Sequence, residues 1–277
     1  MSESLVSMLT ALADDELILG HRHSEWTGFA PHIEEDVAFS SIAQDEIGHA
    51  AAYYALVAKI IGDDADRLAL GREKHEYRNA ILCERSNGDW AYTLARHWLY
   101  DHADALRLEA LEDSAHEELA ALVTKIRREE RYHLLHADTW LKRVAQGPVE
   151  GRNRLSDSMA RAFQEAVALF EPFEAEEEAV SEGWAAIPSR ELQRRFLEQT
   201  AEKLDALGLP TQVTSHVEGA EFVASSSGDL IAGDNGNSSA ANPDDASGGR
   251  RGRRTADFDA LWEDMTAMYR VEPGARW

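Results

Sequence analysis

Apolar residues across the first 206 positions return every three or four residues, and only four prolines, Pro31, Pro148, Pro172 and Pro188, interrupt them. Phe39, Ile42 and Ala43 are followed by Ala50, Tyr53, Val57 and Ile60, the stripe that one face of an α-helix requires. Strand-like alternation is almost absent. The pattern predicts long helices over about 3–27, 31–61, 89–115, 117–145 and 156–181, with a shorter one near 189–206.

The stops have physical causes. Gly28 is expected to end the first helix, and Pro31 to open the second, where its fixed φ and missing N–H do no harm. Gly62-Asp63-Asp64 ends the second, Asp89 after Asn87-Gly88 can cap the third, and Gly147-Pro148 closes the fourth. Short connections between long helices imply antiparallel neighbours, and residues 63–88 leave one longer crossover carrying a partial helix. The expected fold is all-α: a ferritin-like, up-and-down helical bundle over 1–206.

Beyond it the composition changes. Residues 207–255 are rich in Ser, Gly, Asn and Asp and predict a flexible segment that buries too little apolar surface to order itself. Residues 256–277 predict a docking helix and tail, with Phe258, Leu261, Trp262, Met265 and Met268 on one face. The run Arg250-Arg251-Gly252-Arg253-Arg254 reads either as a solvated tail or as a contact to a partner protein or to ligand phosphates.

Charge narrows the partners. With 28 Lys and Arg against 51 Asp and Glu, the net charge is −23, which opposes a nucleic-acid partner. No window offers the roughly 18 apolar residues of a membrane span, and the opening residues lack the pattern of a signal peptide. Cys83 is the sole cysteine, so no intrachain disulfide is possible; a cytoplasmic location is the expectation, with Cys83 a small buried side chain.

The chemistry lies in a repeated spacing. Glu46 and His49 stand at i and i+3 on the second helix, and Glu130 and His133 repeat that spacing on the fourth. Such pairs share a helix face, and each interrupts an apolar stripe, where an unpartnered charge is costly. Two Glu-x-x-His helices, each with a neighbour supplying one carboxylate, form the ligand set of di-iron carboxylate bundles. Glu46 follows Glu16 by 30 residues and Glu130 follows Asp101 by 29, so in antiparallel hairpins each pair lies at similar height. The candidate metal ligands are therefore Glu16, Glu46, His49, Asp101, Glu130 and His133, holding two iron ions.

Singly, each of these residues reads as readily in a plainer way. A lone helical Glu is usually solvated, a lone His usually a satisfied core residue, and Asp14-Asp15-Glu16 can simply solvate a helix. Asp104 is an alternative to Asp101 one turn on. Glu25, roughly 14 Å along the axis from Glu16, should miss the site. Asp45 and His136 are candidates for orienting the imidazoles, or for surface ion pairs.

The stretches LADDELILGHRHSEWTGFAPHIEEDVAFSSIAQDEIGHA, NGDWAYTLARHWLYDHADAL and EERYHLLHADTWLKRVAQG resemble the ferritin-like subunits of the bacterial ring-1,2-phenylacetyl-CoA epoxidase, of the PaaC type. The ending from Leu261 to RVEPGARW shares that resemblance, which covers about 1–206 and 256–277. It implies a cytoplasmic complex that epoxidises the ring of phenylacetyl-CoA with dioxygen and NADPH-derived electrons. In that family an A-type catalytic subunit holds the di-iron site, a reductase supplies electrons, and the C-type subunit is chiefly structural. C-type chains commonly lose several ligands, whereas the six residues named above match the A-type pattern position by position.

Three functions follow: an iron-bearing subunit of the epoxidase, a non-catalytic scaffold of the same complex, or a stand-alone di-iron oxidase or iron-handling protein. The last predicts a self-assembling cage.

Overall fold

The computed structural model describes residues 3–209 and 246–274. The described residues form α-helices and no strand: α1 Glu3–Ser24, α2 Ile33–Ile61, α3 Ala65–Leu70, α4 Ile81–Glu84, α5 Trp90–Leu111, α6 Glu117–Ala145, α7 Val149–Val167, α8 Glu176–Ser181, α9 Ser189–Ala206 and α10 Ala256–Val271. The hairpin α1–α2 and the hairpin α5–α6 meet along α2 and α6, and α7 and α9 pack against α5. This is the all-α ferritin-like bundle expected, with α3, a 3₁₀ turn at Lys74–Glu76 and α4 forming the crossover.

Several boundaries follow local chemistry. Gly62 terminates α2 with φ 75°, a left-handed conformation that lets its N–H reach the Ala58 carbonyl at 2.8 Å. The Asp89 carboxylate caps α5 by accepting from the Tyr92 N–H at 3.0 Å. The first helix stops at Ser24, short of Gly28, because the chain turns to let the Trp26 indole donate to Thr93 at 3.0 Å. The helix expected over 156–181 is instead α7, which starts directly after Pro148 and ends at Val167. Pro172 explains the difference: the residue before a proline is driven out of helical geometry, and Glu171 sits at ψ 128°.

One core runs through the bundle, with Tyr53, Tyr54, Tyr77, Trp98, Tyr100, Phe39, Phe196 and Phe258 as its largest members. Cys83 is buried and unpaired in it. Helix α10 lays Phe258, Leu261 and Trp262 into this core, and the Trp262 indole donates to the Arg72 carbonyl at 3.0 Å. Met268, placed by periodicity on the same face, is exposed.

Of the stretch expected to be flexible, residues 210–245 lie outside the described residues. Residues 246–255 lie on the bundle, and the basic run within them is only partly solvated: Arg251 and Arg253 are exposed, whereas Arg250 is buried. Arg250 and Arg254 point inward and pair with Asp15 and Glu84, each at 2.6 Å, while Arg251 pairs with Glu171 at 2.7 Å. Asp15 and Glu84 are buried carboxylates that Arg107 and Asn79 also contact, and the guanidinium groups of Arg250 and Arg254 complete their pairing.

Candidate metal centre

Helix α1 carries three acids in a row, and none is solvated. Consecutive helical residues point about 100° apart, so Asp14, Asp15 and Glu16 face three different neighbours, all buried at 0, 0 and 2% exposure. Asp14 takes the Tyr54 hydroxyl, the Arg72 guanidinium and the Arg78 N–H on the crossover. Asp15 accepts from the Ala80 N–H, Arg107 and Arg250. Of the three, Glu16 alone meets His49 of α2. Gly20, one turn on, lets α1 and α2 approach: a Cβ there would stand 2.8 Å from Ile47 Cγ1 and 3.2 Å from Glu46 Cβ.

Glu16, His49 and Glu130 bring one donor atom each within 4.8 Å of one another. His49 Nδ1 lies 3.3 Å from Glu16 and 3.5 Å from Glu130, and His133 Nδ1 lies 3.0 Å from Glu130. Donors bound to one ion at ~2.1 Å stand about 3 Å apart when their bonds are perpendicular, so this spacing suits a shared cation. The Tyr100 hydroxyl steadies Glu16 from the other side, donating at 2.9 Å.

The two imidazoles are held in the same way. His49 Nε2 meets Glu129 of α6 at 2.9 Å, and His133 Nε2 meets Asp45 of α2 at 3.3 Å. An ionised carboxylate only accepts, so each Nε2 carries the hydrogen and each Nδ1 faces the site. Each holding acid directly precedes the glutamate of the opposite Glu-x-x-His pair. The arrangement is a reciprocal clamp between α2 and α6.

Glu46 and Asp101 stand beside this group rather than within it. Glu46 Oε2 contacts His23 Nδ1 at 2.9 Å, and Asp101 Oδ2 lies 3.3 Å from His97 Nδ1. Capacity here is unused: Glu46 Oε1, both Asp101 oxygens and Asp104 Oδ2 are buried with no well-aligned hydrogen-bond partner. Orphaned oxygens at this density are costly in a protein interior and suit a hard multivalent cation.

Burial pushes the Asp101 and Asp104 carboxyls up to about 7. It also raises Glu130, and with the charge of Glu16 it holds Glu46 well above the usual carboxylate range. The surrounding acids overcome burial at His49 and His133, raising them to about 9 and about 12. Without a cation the cluster therefore retains protons. Asp104, the alternative ligand, lies 3.0 Å from Arg107. Glu25 is turned away from the site, paired with Arg22 at 2.6 Å.

A sequence profile of the family described as phenylacetic acid catabolic protein matches residues 1–221. The chain belongs to the phenylacetic acid catabolic protein family. Along 274 residues, 99% of each chain, it is 27% identical to the C-type component of the 1,2-phenylacetyl-CoA epoxidase of Escherichia coli K12. It is 24% identical to the A-type component of that epoxidase over 215 residues, 75% of this chain and 68% of that one. No helix among the described residues is long and apolar enough to cross a membrane.

This member of the phenylacetic acid catabolic protein family also carries a buried polar row that the helical patterning alone did not reveal. His97 Nε2 contacts His136 Nδ1 at 3.2 Å, and His136 Nε2 reaches Glu35 at 2.8 Å. His23 packs edge to face on Phe39 and His97, Phe39 edge to face on His136, and His97 is tilted against His136. His97 lies four residues before Asp101 and His23 seven after Glu16, so helical spacing was a usable signal for both. Nothing local marked Glu35 or Glu129.

Proposed function

We propose that this chain is a C-type subunit of a 1,2-phenylacetyl-CoA epoxidase complex and that it keeps a di-iron carboxylate site. The ligands are Glu16, Glu46, His49, Asp101, Glu130 and His133. Its partners are a reductase that supplies electrons and an A-type catalytic subunit; phenylacetyl-CoA is the substrate of the complex, and the location is cytoplasmic. The similarity to the C-type and A-type components of the Escherichia coli epoxidase supports the complex. The observation that carries the metal reading is the pair of site-facing Nδ1 atoms beside carboxylate oxygens without hydrogen-bond partners.

A pair of iron ions held there would supply reductive activation of dioxygen. The chain's own residues have separable tasks. Glu16 and His49 form one half of the site and Asp101 and His133 the other. Glu130 stands between both imidazoles, and Glu46 is charge-coupled to Glu16 on one side and Asp101 on the other. Glu129 and Asp45 keep each Nε2 protonated so that Nδ1 is presented, and Tyr100 fixes Glu16. Phe39, Leu19 and Ile42, all fully buried, belong to the core that keeps water from the cluster.

Full-length similarity to the C-type component favours a second reading, a scaffold whose ligand set is vestigial. Reconstituting the complex with Glu46→Ala and His133→Ala chains separates the two. The iron-bearing reading expects activity of the complex to fall with assembly intact; unchanged turnover supports the scaffold.

A further inference from the structure

The segment Gly248-Gly249-Arg250-Arg251-Gly252-Arg253-Arg254 is shaped to reach the bundle interior. Gly248 and Gly252 adopt φ of 94° and 82°. A Cβ on Gly249 would collide with the Asn79 carbonyl, and one on Gly252 with the His75 carbonyl, so only glycine permits this approach. It delivers the Arg250 guanidinium, 7% exposed as a residue, to the Ala11, Arg78 and Leu169 carbonyls at 3.1, 2.8 and 3.0 Å. The same group grips both oxygens of Asp15, at 2.9 and 2.6 Å.

Asp15 takes a second arginine. Arg107 donates to it at 2.7 Å, stands 3.0 Å from Asp104, and lies over the Tyr100 ring at 5.0 Å from its centre. The Tyr100 hydroxyl in turn donates to Glu16. Contact therefore passes without a break from the C-terminal clasp through Asp15 and Arg107 to Asp104 and, by way of Tyr100, to Glu16 of the candidate metal centre.

We propose that Arg250 is a positioning residue: by gripping Asp15 it leaves Arg107 turned to Asp104 and Tyr100, and so fixes Glu16 toward His49. Without Arg250, the Asp15 carboxylate is buried with Arg107 as its only cation and draws that guanidinium away from the site. The inference rests on Glu16 being a metal ligand. Arg254 supplies the control. It is equally part of the clasp, but its partners Glu84, Asn79 and Gly249 belong to the crossover and the clasp itself.

The test compares full-length wild-type, Arg250→Met, Arg254→Met and Asp15→Asn/Arg250→Met proteins. Co2+ titration is followed by visible absorption, and hydrogen exchange by mass spectrometry over residues 12–20 of the metal-free proteins. Arg250→Met should weaken Co2+ binding about tenfold or more, alter the absorption band and speed exchange around Glu16. Arg254→Met should lower thermal stability while leaving affinity and spectrum unchanged. The double variant, whose neutral Asn no longer draws Arg107, should return to within about threefold of wild type. If Arg250→Met does not fold, Arg250→Lys and the double variant carry the same comparison.

Equal Co2+ losses in the two arginine variants, a wild-type spectrum in Arg250→Met, or a folded double variant as weak as the single one overturns the proposal. A wild-type protein that takes up no Co2+ overturns the metal reading instead. Exchange near Glu16 that rises equally in Arg250→Met and Arg254→Met overturns the clasp separately.

Discussion

Glu129 on α6 holds Nε2 of His49 on α2 at 2.9 Å, and Asp45 on α2 holds Nε2 of His133 on α6 at 3.3 Å. Each helix thus orients the imidazole of the other, and the two site-facing Nδ1 atoms are set by the contact between α2 and α6. Both holding acids are partly exposed, with 34 and 36% of their side-chain surface accessible. Their role is directional more than stabilising.

The clamp predicts a loss of metal without a loss of fold. Glu129→Gln and Asp45→Asn should each weaken metal binding by about 10- to 100-fold, because each carboxylate sets the tautomer and ring orientation of one ligand. Thermal midpoints should move little. Competition with a chelator of known affinity measures the first, and circular dichroism the second.

Metal uptake should release protons. His49 and His133, raised to about 9 and about 12, are protonated at neutral pH in the metal-free protein, and Nδ1 must lose its proton to bind. Affinity should therefore rise with pH, with about two imidazole protons displaced as the site fills. Calorimetry in buffers of different ionisation enthalpy gives the total released, in which protons from the raised carboxyls of Glu46 and Asp101 add to those two.

Acid should destabilise the metal-free protein through the histidine row. Burial and the charge of His133 hold His97 at about 3, and burial and the neighbouring His97 hold His136 at about 4. An unfolded chain protonates both below about 6.5, so it binds more protons than the folded form between there and about 4. The histidine row then takes stability away as pH drops through that window, opposing the gain from the raised Asp101 and Asp104 carboxyls. His136→Gln should flatten the slope of thermal midpoint against pH; a slope equal to that of the wild type contradicts this.

Close packing beside the site gives a steric prediction. Gly20→Ala places a methyl against Ile47 and the Ala43 carbonyl. It should cost about 1–3 kcal/mol of stability by forcing α1 from α2, and it should weaken metal binding because Glu16 moves with α1. Chemical denaturation and metal titration of the same variant read the two effects.

The Glu-x-x-His pairs were legible because i and i+3 share a helix face whatever surrounds the helix. Asp45 was legible as a candidate for orienting an imidazole. That it holds His133, and that Glu129 holds His49, depends on how α6 is rotated against α2, which periodicity does not report. Asp14-Asp15-Glu16 read as readily as a solvated run, since three adjacent acids are normally too costly to bury together. Asp14 and Asp15 are buried because Arg72, Arg107 and Arg250 arrive from the crossover, α5 and the far end of the chain, while Glu16 meets Tyr100 and His49. The arginine clasp itself was hidden by its surroundings: a Gly- and Ser-rich composition describes a solvated tail equally well. The misplaced fifth helix came from reading apolar periodicity through Pro172, where the backbone restriction prevails.

The iron content of the purified chain, reconstituted with Fe2+ under anaerobic conditions and freed of excess metal, tests the central claim most directly. The site predicts about two iron ions per chain, falling to one or none in Glu46→Ala/His133→Ala. Wild-type protein that retains no iron, or retains as much as the double variant, contradicts it.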